Sequence, residues 1–400
     1  MLHTRLPDYD VIVIGAGIIG NFISRELSVL GHSVGVIEKK PDAGHKICCT
    51  GIISNECLDL LTVPASIIQN KIHSARIFSP SGKCISLNRS HTQAYVLNRP
   101  AMDKYIAGSA RDRGAEYHFN TMAIDLKYYD DCIGVICSGT KGALELKSRV
   151  AVIAAGFANS LTLDAGLGKI DRYAMAAQTE VEIEDNIDEI EIYSGNEIAP
   201  GFFAWLVPAG HSLAKVGLLC RQNPAKFISA FLQKLADEGK TGRLLHAVDY
   251  AMIPLKPLRK TFANRVVVVG DAAGQVKPTT GGGIYFGLLS ACEAIKVLNK
   301  ALMFENLSEK YLSLYQKQWH RILSRELTID YWAHRFYQKL NDDQIDHIFD
   351  IIERYGIHDT LLASPDITFD WHSKIILDAI KHRSLQRSLE KIHRTKIPRF

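Results

Sequence analysis

Long apolar runs are missing from this chain. Nowhere in its 400 residues do 18 apolar residues follow one another, so no membrane-spanning helix is expected. Cys-x-x-Cys pairs are missing as well, which removes the usual signature of a zinc or iron–sulfur site. The eight cysteines are scattered and no secretory signal precedes them, which suggests a reducing compartment rather than a disulfide framework. The run from Val11 to Leu30 could pass for a signal core, but it carries Asn21, Ser24, Arg25, Glu26 and Ser28 and has no basic region close before it. Internal repeats and low-complexity segments are absent. Net charge is only +4, which says little about partners and gives no reason to expect nucleic acid. With 47% apolar and 22% charged residues the chain has ample material for a core, and its length suggests two or three domains.

What is present begins with a short β-branched run, Asp10 to Ile14, followed by Gly15-Ala16-Gly17-Ile18-Ile19-Gly20, a helical stretch from Asn21 to Leu30, and a second strand, Ser33 to Ile37, closed by Glu38. This is G-x-G-x-x-G in its required context of strand, tight turn, helix, strand and acid. Gly15 permits the turn. Gly17 lets the backbone approach a pyrophosphate at the helix N-terminus, and Gly20 lets helix and strand pack closely. Glu38 lies 18 residues beyond Gly20, near the offset of about 20 at which a carboxylate accepts hydrogen bonds from a ribose diol. An acid there disfavours a 2′-phosphate, so the site suits FAD or NAD rather than NADP.

Downstream, Lys39 to Gly51 reads as a loop containing adjacent cysteines, Cys48 and Cys49. Ile72 to Phe78 and Lys83 to Leu87 read as a hairpin around Ser-Pro-Ser-Gly. A strand at Ala94 to Leu97 leads through Arg99-Pro100 into a helix from Ala101 to Arg113. Strands are expected at Ala115 to Phe119, Ala123 to Tyr128, Cys132 to Ser138, Leu144 to Leu146 and, buried, Val150 to Ala154. From Tyr173 to Leu219 the pattern is antiparallel, and the acid-rich stretch from Glu180 to Glu191 reads as a solvated face. Pro224 to Glu238 has the pattern of an amphipathic helix. Arg265 to Gly270 is a second buried strand, and helices dominate from Ala301 onward.

That second strand ends in Gly270-Asp271-Ala272-Ala273-Gly274 and continues to Lys277-Pro278-Thr279-Thr280-Gly281-Gly282-Gly283-Ile284. An acid after the strand suits a ribityl or ribose hydroxyl. A glycine triplet opening a helix exposes backbone N–H groups to an anion or carbonyl, such as the pyrimidine edge of a flavin.

Taken together, the first fingerprint, Arg99 with Asp103, and the Gly270–Gly274 motif with Pro278 resemble the flavoprotein superfamily of aromatic hydroxylases. Within it the chain resembles the geranylgeranyl reductase family, in its archaeal type acting on ether lipids. Phe203-Ala204-Trp205-Leu206-Val207-Pro208 with Val216-Gly217 is similar to that family's Y-x-W-x-F-P…V-G signature, with Phe for Tyr and Val for Phe. The resemblance covers about residues 9 to 300.

It implies an α/β (α+β overall) fold: a Rossmann-like FAD-binding domain of the glutathione-reductase/aromatic-hydroxylase type over 1–170, interrupted by a hairpin near 72–94. An antiparallel-sheet substrate domain would follow over 171–260, a return to the FAD domain over 261–300, and a helical C-terminal domain with a basic tail over 301–400. FAD contacts are implied at Gly15, Ala16, Gly17, Gly20, Glu38, Cys49, Gly51, Arg99, Ala123, Asp271, Gly274, Gly283 and Ile284. A substrate pocket is implied around Phe203, Trp205 and Pro208, where aromatic walls suit an isoprenoid chain that offers no hydrogen bonds.

The implied reaction adds hydride from reduced flavin and a proton to an isolated carbon–carbon double bond. Cys48, Cys49 and a water are all candidates for the proton donor, and either cysteine matches a version of the family's loop. Ala155-Gly156 stands where many relatives carry Asp-Gly, a departure that points away from NADPH and towards ferredoxin, another protein donor or a reduced quinone. Two rivals remain: a flavin monooxygenase or halogenase, although no W-x-W-x-I-P occurs, and a membrane-peripheral electron-transfer flavoprotein acting on quinone. From Trp371 to Phe400 the net charge is +6, leaving −2 for the other 370 residues. This tail reads either as a packed final helix or as a basic amphipathic helix on an anionic membrane. The expected location is cytoplasmic, with the inner membrane face as the place of any peripheral contact.

Overall fold

The computed structural model describes residues 7–140, 142–157, 159–183, 187–362 and 368–382. Among the described residues, three sheets carry the architecture. In the first, the Tyr9–Ile14 strand lies between two parallel neighbours, Val34–Ile37 and Gly142–Ile153. Glu116–His118 extends this sheet on one side, and Val266–Val268 on the other. Val11, Val13, Val150, Val152 and Val267 face one hydrophobic cluster, which also takes in Phe22, Ile23 and Leu27 of the Ile18–Val29 helix and much of the Ile284–Met303 helix. Burial on both faces explains why these strands read as unbroken apolar runs.

The separate strands expected at Leu144 to Leu146 and Val150 to Ala154 are one, Gly142–Ile153. Its first half pairs antiparallel with Ile133–Gly139, and its second half runs parallel to Tyr9–Ile14. Lys147-Ser148-Arg149 offers no turn residue. These polar side chains mark only the passage of one strand from a solvated wing into the buried sheet.

The second sheet has seven strands in the order Asp249–Pro254, Tyr173–Glu182, Leu213–Cys220, Phe203–Gly210, Ile190–Ser194, Ser74–Phe78 and Cys84–Asn88. The hairpin of residues 74–88 is thus its far edge. One face is covered by the Pro224–Asp237 helix, whose Ile228, Phe231 and Leu235 pack on Ala177, Leu206 and Val216. A third, small sheet of Ile52–Ile53, Ala94–Leu97 and Ile68–Ile72 stands between the other two in the chain path.

The reading of Glu180 to Glu191 as a solvated face needs correction at its end. Glu191 is 0% exposed. Its carboxylate accepts hydrogen bonds from Arg76 and from the Tyr193 hydroxyl, and from Lys240 Nζ at 3.0 Å. The acid is buried because cations arrive from two distant parts of the chain. Residues 184–186 of that stretch lie outside the described residues.

Among the described residues, four helices follow Ile284–Met303: Glu309–Tyr337, Asp342–Arg354, Ile357–Leu362 and Ser373–Lys381. Ser308 caps the first, and Asn341 with Gln344 forms a capping box on the second. Of the basic tail, residues 383–400 lie outside the described residues. In the described part, Trp371 packs edge-on to Tyr285, and Ala379 and Ile380 pack on Ile351 and Ile357. No helix among the described residues is long and apolar enough to cross a membrane.

Candidate active site

The first strand delivers its chain to Gly15, whose φ of +109° requires glycine. At Gly20 a Cβ would lie 1.9 Å from the Gly15 carbonyl oxygen, so strand and helix touch backbone to backbone. Gly17 differs: a Cβ there would meet nothing within 4 Å. It is the N-cap of the Ile18–Val29 helix and supplies no side-chain cap. Open space over uncapped N–H groups at a helix start is where a pyrophosphate fits. Glu38 closes this cradle. Its carboxylate accepts hydrogen bonds from Ala16 N at 2.8 Å and Lys40 N at 2.9 Å, leaving further lone pairs for a diol.

The return motif is arranged differently along its length. Gly274 (φ +73°) is buried, and a Cβ there would lie 2.2 Å from the Lys256 carbonyl oxygen. Its glycine requirement comes from protein packing. Asp271 sits on the turn Gly270–Ala273 with Oδ1 2.6 Å from where a Gly283 Cβ would be, so acid and glycine loop meet directly. Gly283 is the N-cap of the Ile284–Met303 helix, again without a side-chain cap. The uncapped helix starts, the open space at Gly17 and the acids at Glu38 and Asp271 together fit a dinucleotide carrying a flavin.

Arg99 opens the Arg99–Arg111 helix, which Asn98 caps. Its Nη2 donates to Asp103 Oδ1 at 3.2 Å and Oδ2 at 3.3 Å, and both residues are buried. Burial pushes the Asp103 carboxyl up, and Arg99 opposes that shift. Arg99 Nε has no hydrogen-bond partner among the described residues. Gly51 (φ +76°) rests on the stem of Arg99: a Cβ would lie 3.0 Å from Arg99 Cγ. Ala123 stands in the Thr121–Tyr128 strand opposite Cys137, packed on the cluster that contains Ile14 and Ile37.

A cavity of about 470 Å³ opens beside these motifs, within the usual range for a small-molecule site. Gly281, Gly283, Ile284, Cys48, Cys49 and Gly51 line one end. Gly281 sits against Leu219 and Ile253, and Thr50 Oγ1 donates to Gln178 Oε1 at 2.6 Å, tying this end to the second sheet. The lining then crosses the face of that sheet opposite the Pro224–Asp237 helix, from Ala176 and Gln178 through Phe203, Trp205, Val207, Ile190 and Ile192 to Ala75 and Leu87. From the Tyr173–Glu182 strand to Cys84–Asn88 this is five strand spacings, or about 24 Å. The last wall is C-terminal: Phe369, Asp370, His372 and Ile375.

Phe203 and Trp205 therefore line the cavity, with ring centroids 5.9 Å apart. Pro208 does not. Side chains alternate along a strand, so 203, 205 and 207 share the cavity face while Pro208 falls on the other parity; its carbonyl accepts a hydrogen bond from Asn70 Nδ2 at 3.2 Å. Cys48 and Cys49 both reach the cavity. Cys48 Sγ turns to the Asp249 carbonyl at 3.7 Å, and burial pushes its thiol up to about 12.

Two features escape a reading of motifs. Lys277 Nζ pairs with Asp370 Oδ1 at 2.5 Å, both side chains buried, and joins the glycine loop to the C-terminal wall. Lys215, 3% exposed, donates to the carbonyls of Thr50 at 3.0 Å and Leu97 at 3.2 Å. Its signal was a single cation in the otherwise apolar strand Leu213–Cys220.

This fold and site define an FAD-dependent oxidoreductase. Residues 171–251 match the geranylgeranyl reductase catalytic domain. The chain is 33% identical over 353 residues to the digeranylgeranylglycerophospholipid reductase of Methanocaldococcus jannaschii, covering 84% of this chain and 89% of that one. It is 28% identical over 362 residues to digeranylgeranylglycerophospholipid reductase 2 of Methanothermobacter thermautotrophicus, covering 86% and 92%. The crystal structure of a geranylgeranyl bacteriochlorophyll reductase-like protein from Thermoplasma acidophilum superposes with a TM-score of 0.83 at 24% identity, over 96% of this chain and 99% of that one. The chain belongs to the geranylgeranyl reductase family.

Proposed function

We propose that this enzyme saturates carbon–carbon double bonds in the geranylgeranyl chains of a glycerophospholipid or prenyl diphosphate. The observation that carries this reading is the cavity: an apolar trough that starts at the glycine loop and Cys49 and crosses a whole sheet face. Such a shape suits a long hydrocarbon with a reactive bond at one end of the trough. The relatives named as digeranylgeranylglycerophospholipid reductases support the same substrate class.

In this reading Gly15, Ala16, Gly17 and Gly20 hold the pyrophosphate, and Glu38 holds the adenosine ribose. Arg99, Asp271, Gly283 and Ile284 hold the flavin half, with Gly51 and Cys49 along the ring and Ala123 near the adenine side. Bound FAD supplies hydride. Phe203 and Trp205 orient the prenyl chain and exclude water, and a thiol of the Cys48-Cys49 loop supplies the proton. Electrons come from ferredoxin or another protein donor, because Ala155-Gly156 lacks the acid expected of an NADPH user. The protein works in the cytoplasm and meets its lipid at the membrane surface, where vesicle sedimentation with and without residues 383–400 would measure any contribution of the tail.

The test is anaerobic. The flavin is reduced with dithionite, and geranylgeranyl diphosphate or a geranylgeranylated glycerophospholipid is added. The expected result is reoxidation of the visible flavin band with product mass rising in steps of two hydrogens. A flavin that stays reduced with every prenyl substrate, and reoxidises only with quinone or oxygen, would overturn the proposal.

A further inference from the structure

Three side chains stand in line beside the cavity. The Thr279 hydroxyl lies 3.1 Å from Asp330 Oδ2 and 2.8 Å from His372 Nδ1. His372 Nε2 lies 3.1 Å from the Phe369 carbonyl oxygen. Asp330 is 0% exposed on the Glu309–Tyr337 helix, whereas His372 lines the cavity. The Phe369 carbonyl only accepts, so Nε2 carries a proton. The Thr279 hydroxyl has one proton for two neighbours. The line is therefore satisfied in two ways. In one, Asp330 is a neutral acid donating to Thr279, which donates to a neutral ring. In the other, the ring is an imidazolium donating to Thr279, which donates to a carboxylate. The two differ only in where one proton rests, and the hydroxyl passes it between them.

The surroundings hold that proton on Asp330. Its Oδ1 has no hydrogen-bond partner among the described residues, which a buried carboxylate tolerates poorly. Burial, with Glu326 one turn back on the same helix, pushes its carboxyl up to about 7 against the opposing pull of Thr279 and Lys277. Burial and the Lys277 ammonium push the His372 ring down to about 3, opposed by the Phe369 carbonyl and Asp370. Glu326 is itself engaged by the backbone N–H groups of His372 and Ser373, and Lys277 by Asp370. A donor that brings only electrons leaves two protons to be found for every bond saturated. One goes to carbon directly, and the other leaves the flavin as hydride. The loop thiol accounts for the first. When a prenyl chain fills the trough and excludes water, the second has to come from the protein.

We propose that Asp330, Thr279 and His372 form a proton store and relay that feeds the cavity while lipid seals it from water. This assignment rests on the reductase reading above. The Asp330 O–H bond breaks and its electron pair stays on the carboxylate. Thr279 takes that proton and gives its own to His372 Nδ1. The ring releases its Nε2 proton into the cavity and keeps the electron pair on nitrogen. There the proton joins the two electrons brought by the protein donor and leaves as the hydride. Water entering the emptied trough returns the proton. Asp330 and Thr279 act through His372, the member of the line that reaches the cavity.

The experiment is anaerobic stopped-flow reduction of the flavin-loaded, full-length protein by the methyl viologen radical, which carries electrons and no proton. It is run with the trough empty and with a saturated phytanyl glycerophospholipid, which fills the trough but offers no double bond. Thr279→Val keeps the shape and loses the hydroxyl. It is expected to match wild type with the trough empty and to be about a hundredfold slower with lipid bound, a usual size for a missing proton-transfer group. Asp330→Asn should behave in the same way, and it decides the matter if the Thr279→Val protein does not fold. Thr279→Ser should restore the rate. In the wild type with lipid bound, the rate should fall as pH climbs through about 7. Thr279→Val or Asp330→Asn running as fast as wild type with lipid bound, or equally slowly with the trough empty, would overturn the proposal. A lipid that leaves the visible flavin band of the wild type unmoved would overturn the reductase reading, and the relay with it.

Discussion

Gly217 lies directly across the strand pair from Trp205, and a Cβ on it would come within 2.5 Å of the indole Cζ2. The Trp and the Val-Gly of the signature are therefore one steric unit: glycine on one strand makes the space that the indole of the next strand fills. Gly217→Ala should displace the ring into the trough and destabilise the protein by about 1–3 kcal/mol, the usual cost of overpacking. Urea unfolding of the purified variant measures this directly.

Opposite parity on one strand separates Trp205 from Pro208. Trp205→Ala should raise KM for a prenyl substrate several-fold while leaving flavin content unchanged, because the trough widens without touching the cradle. Pro208→Ala should leave KM at the wild-type value. Steady-state kinetics on the two variants side by side would detect a Pro208 contribution to the pocket.

The second and third glycines of the first fingerprint differ in what they protect. Gly17→Ala places a methyl in open space, so the apoprotein should unfold at the wild-type temperature yet retain little flavin. Gly20→Ala drives a methyl into the Gly15 carbonyl and should lower both. Flavin absorbance per protein, with thermal unfolding of the apo forms, distinguishes a cradle residue from a packing residue.

Lys277 and Asp370 form a buried pair between the glycine loop and the C-terminal wall. Removing one partner leaves an uncompensated buried charge, so Lys277→Met should cost about 3–5 kcal/mol. Lys277→Met with Asp370→Leu should recover much of that loss. A double-mutant cycle by denaturant unfolding gives the coupling, and an additive cycle would mean that the wall is held by its apolar contacts alone.

Asp330 gives a pH signature. Burial, reinforced by Glu326 nearby, pushes its carboxyl up to about 7. The native state thus prefers the protonated form. This contribution is complete below the ordinary value of 3.8 and is lost as pH climbs through about 7. Asp330→Asn keeps an oxygen for the Thr279 hydroxyl, which donates to Asp330 Oδ2 at 3.1 Å. The variant should gain stability over wild type across that window, by up to about 1.4 kcal/mol per pH unit. Unfolding at a series of pH values checks the sign, and parallel curves would show that Asp330 is ionised throughout.

Much of the site can be read along the chain because its parts are local. The strand, Gly15, Gly17, Gly20 and the following helix act on one another within a few residues, so their spacing carries their geometry. The same holds for Gly281 to Gly283 opening a helix, and for Asn98 capping the helix that presents Arg99. Trp205 and Pro208, which the family signature groups in one pocket, are separated by the period-two alternation of the strand. Which parity faces the cavity, however, is settled when the Pro224–Asp237 helix covers the opposite face.

The sequence alone therefore determined the strand–glycine–helix turn and the antiparallel sheet, which rest on local backbone chemistry and hydrophobic periodicity, while the family was legible only through the resemblance of its motifs to those of known proteins. Tertiary structure decided the fate of the buried charges. Glu191 looks solvated until Arg76 and Lys240 reach it from elsewhere in the chain. Lys277 meets Asp370 across 93 residues, and Lys215 meets Thr50 across 165. A charge can be buried only where the folded chain brings it a partner, and that partner's place in the sequence follows no period.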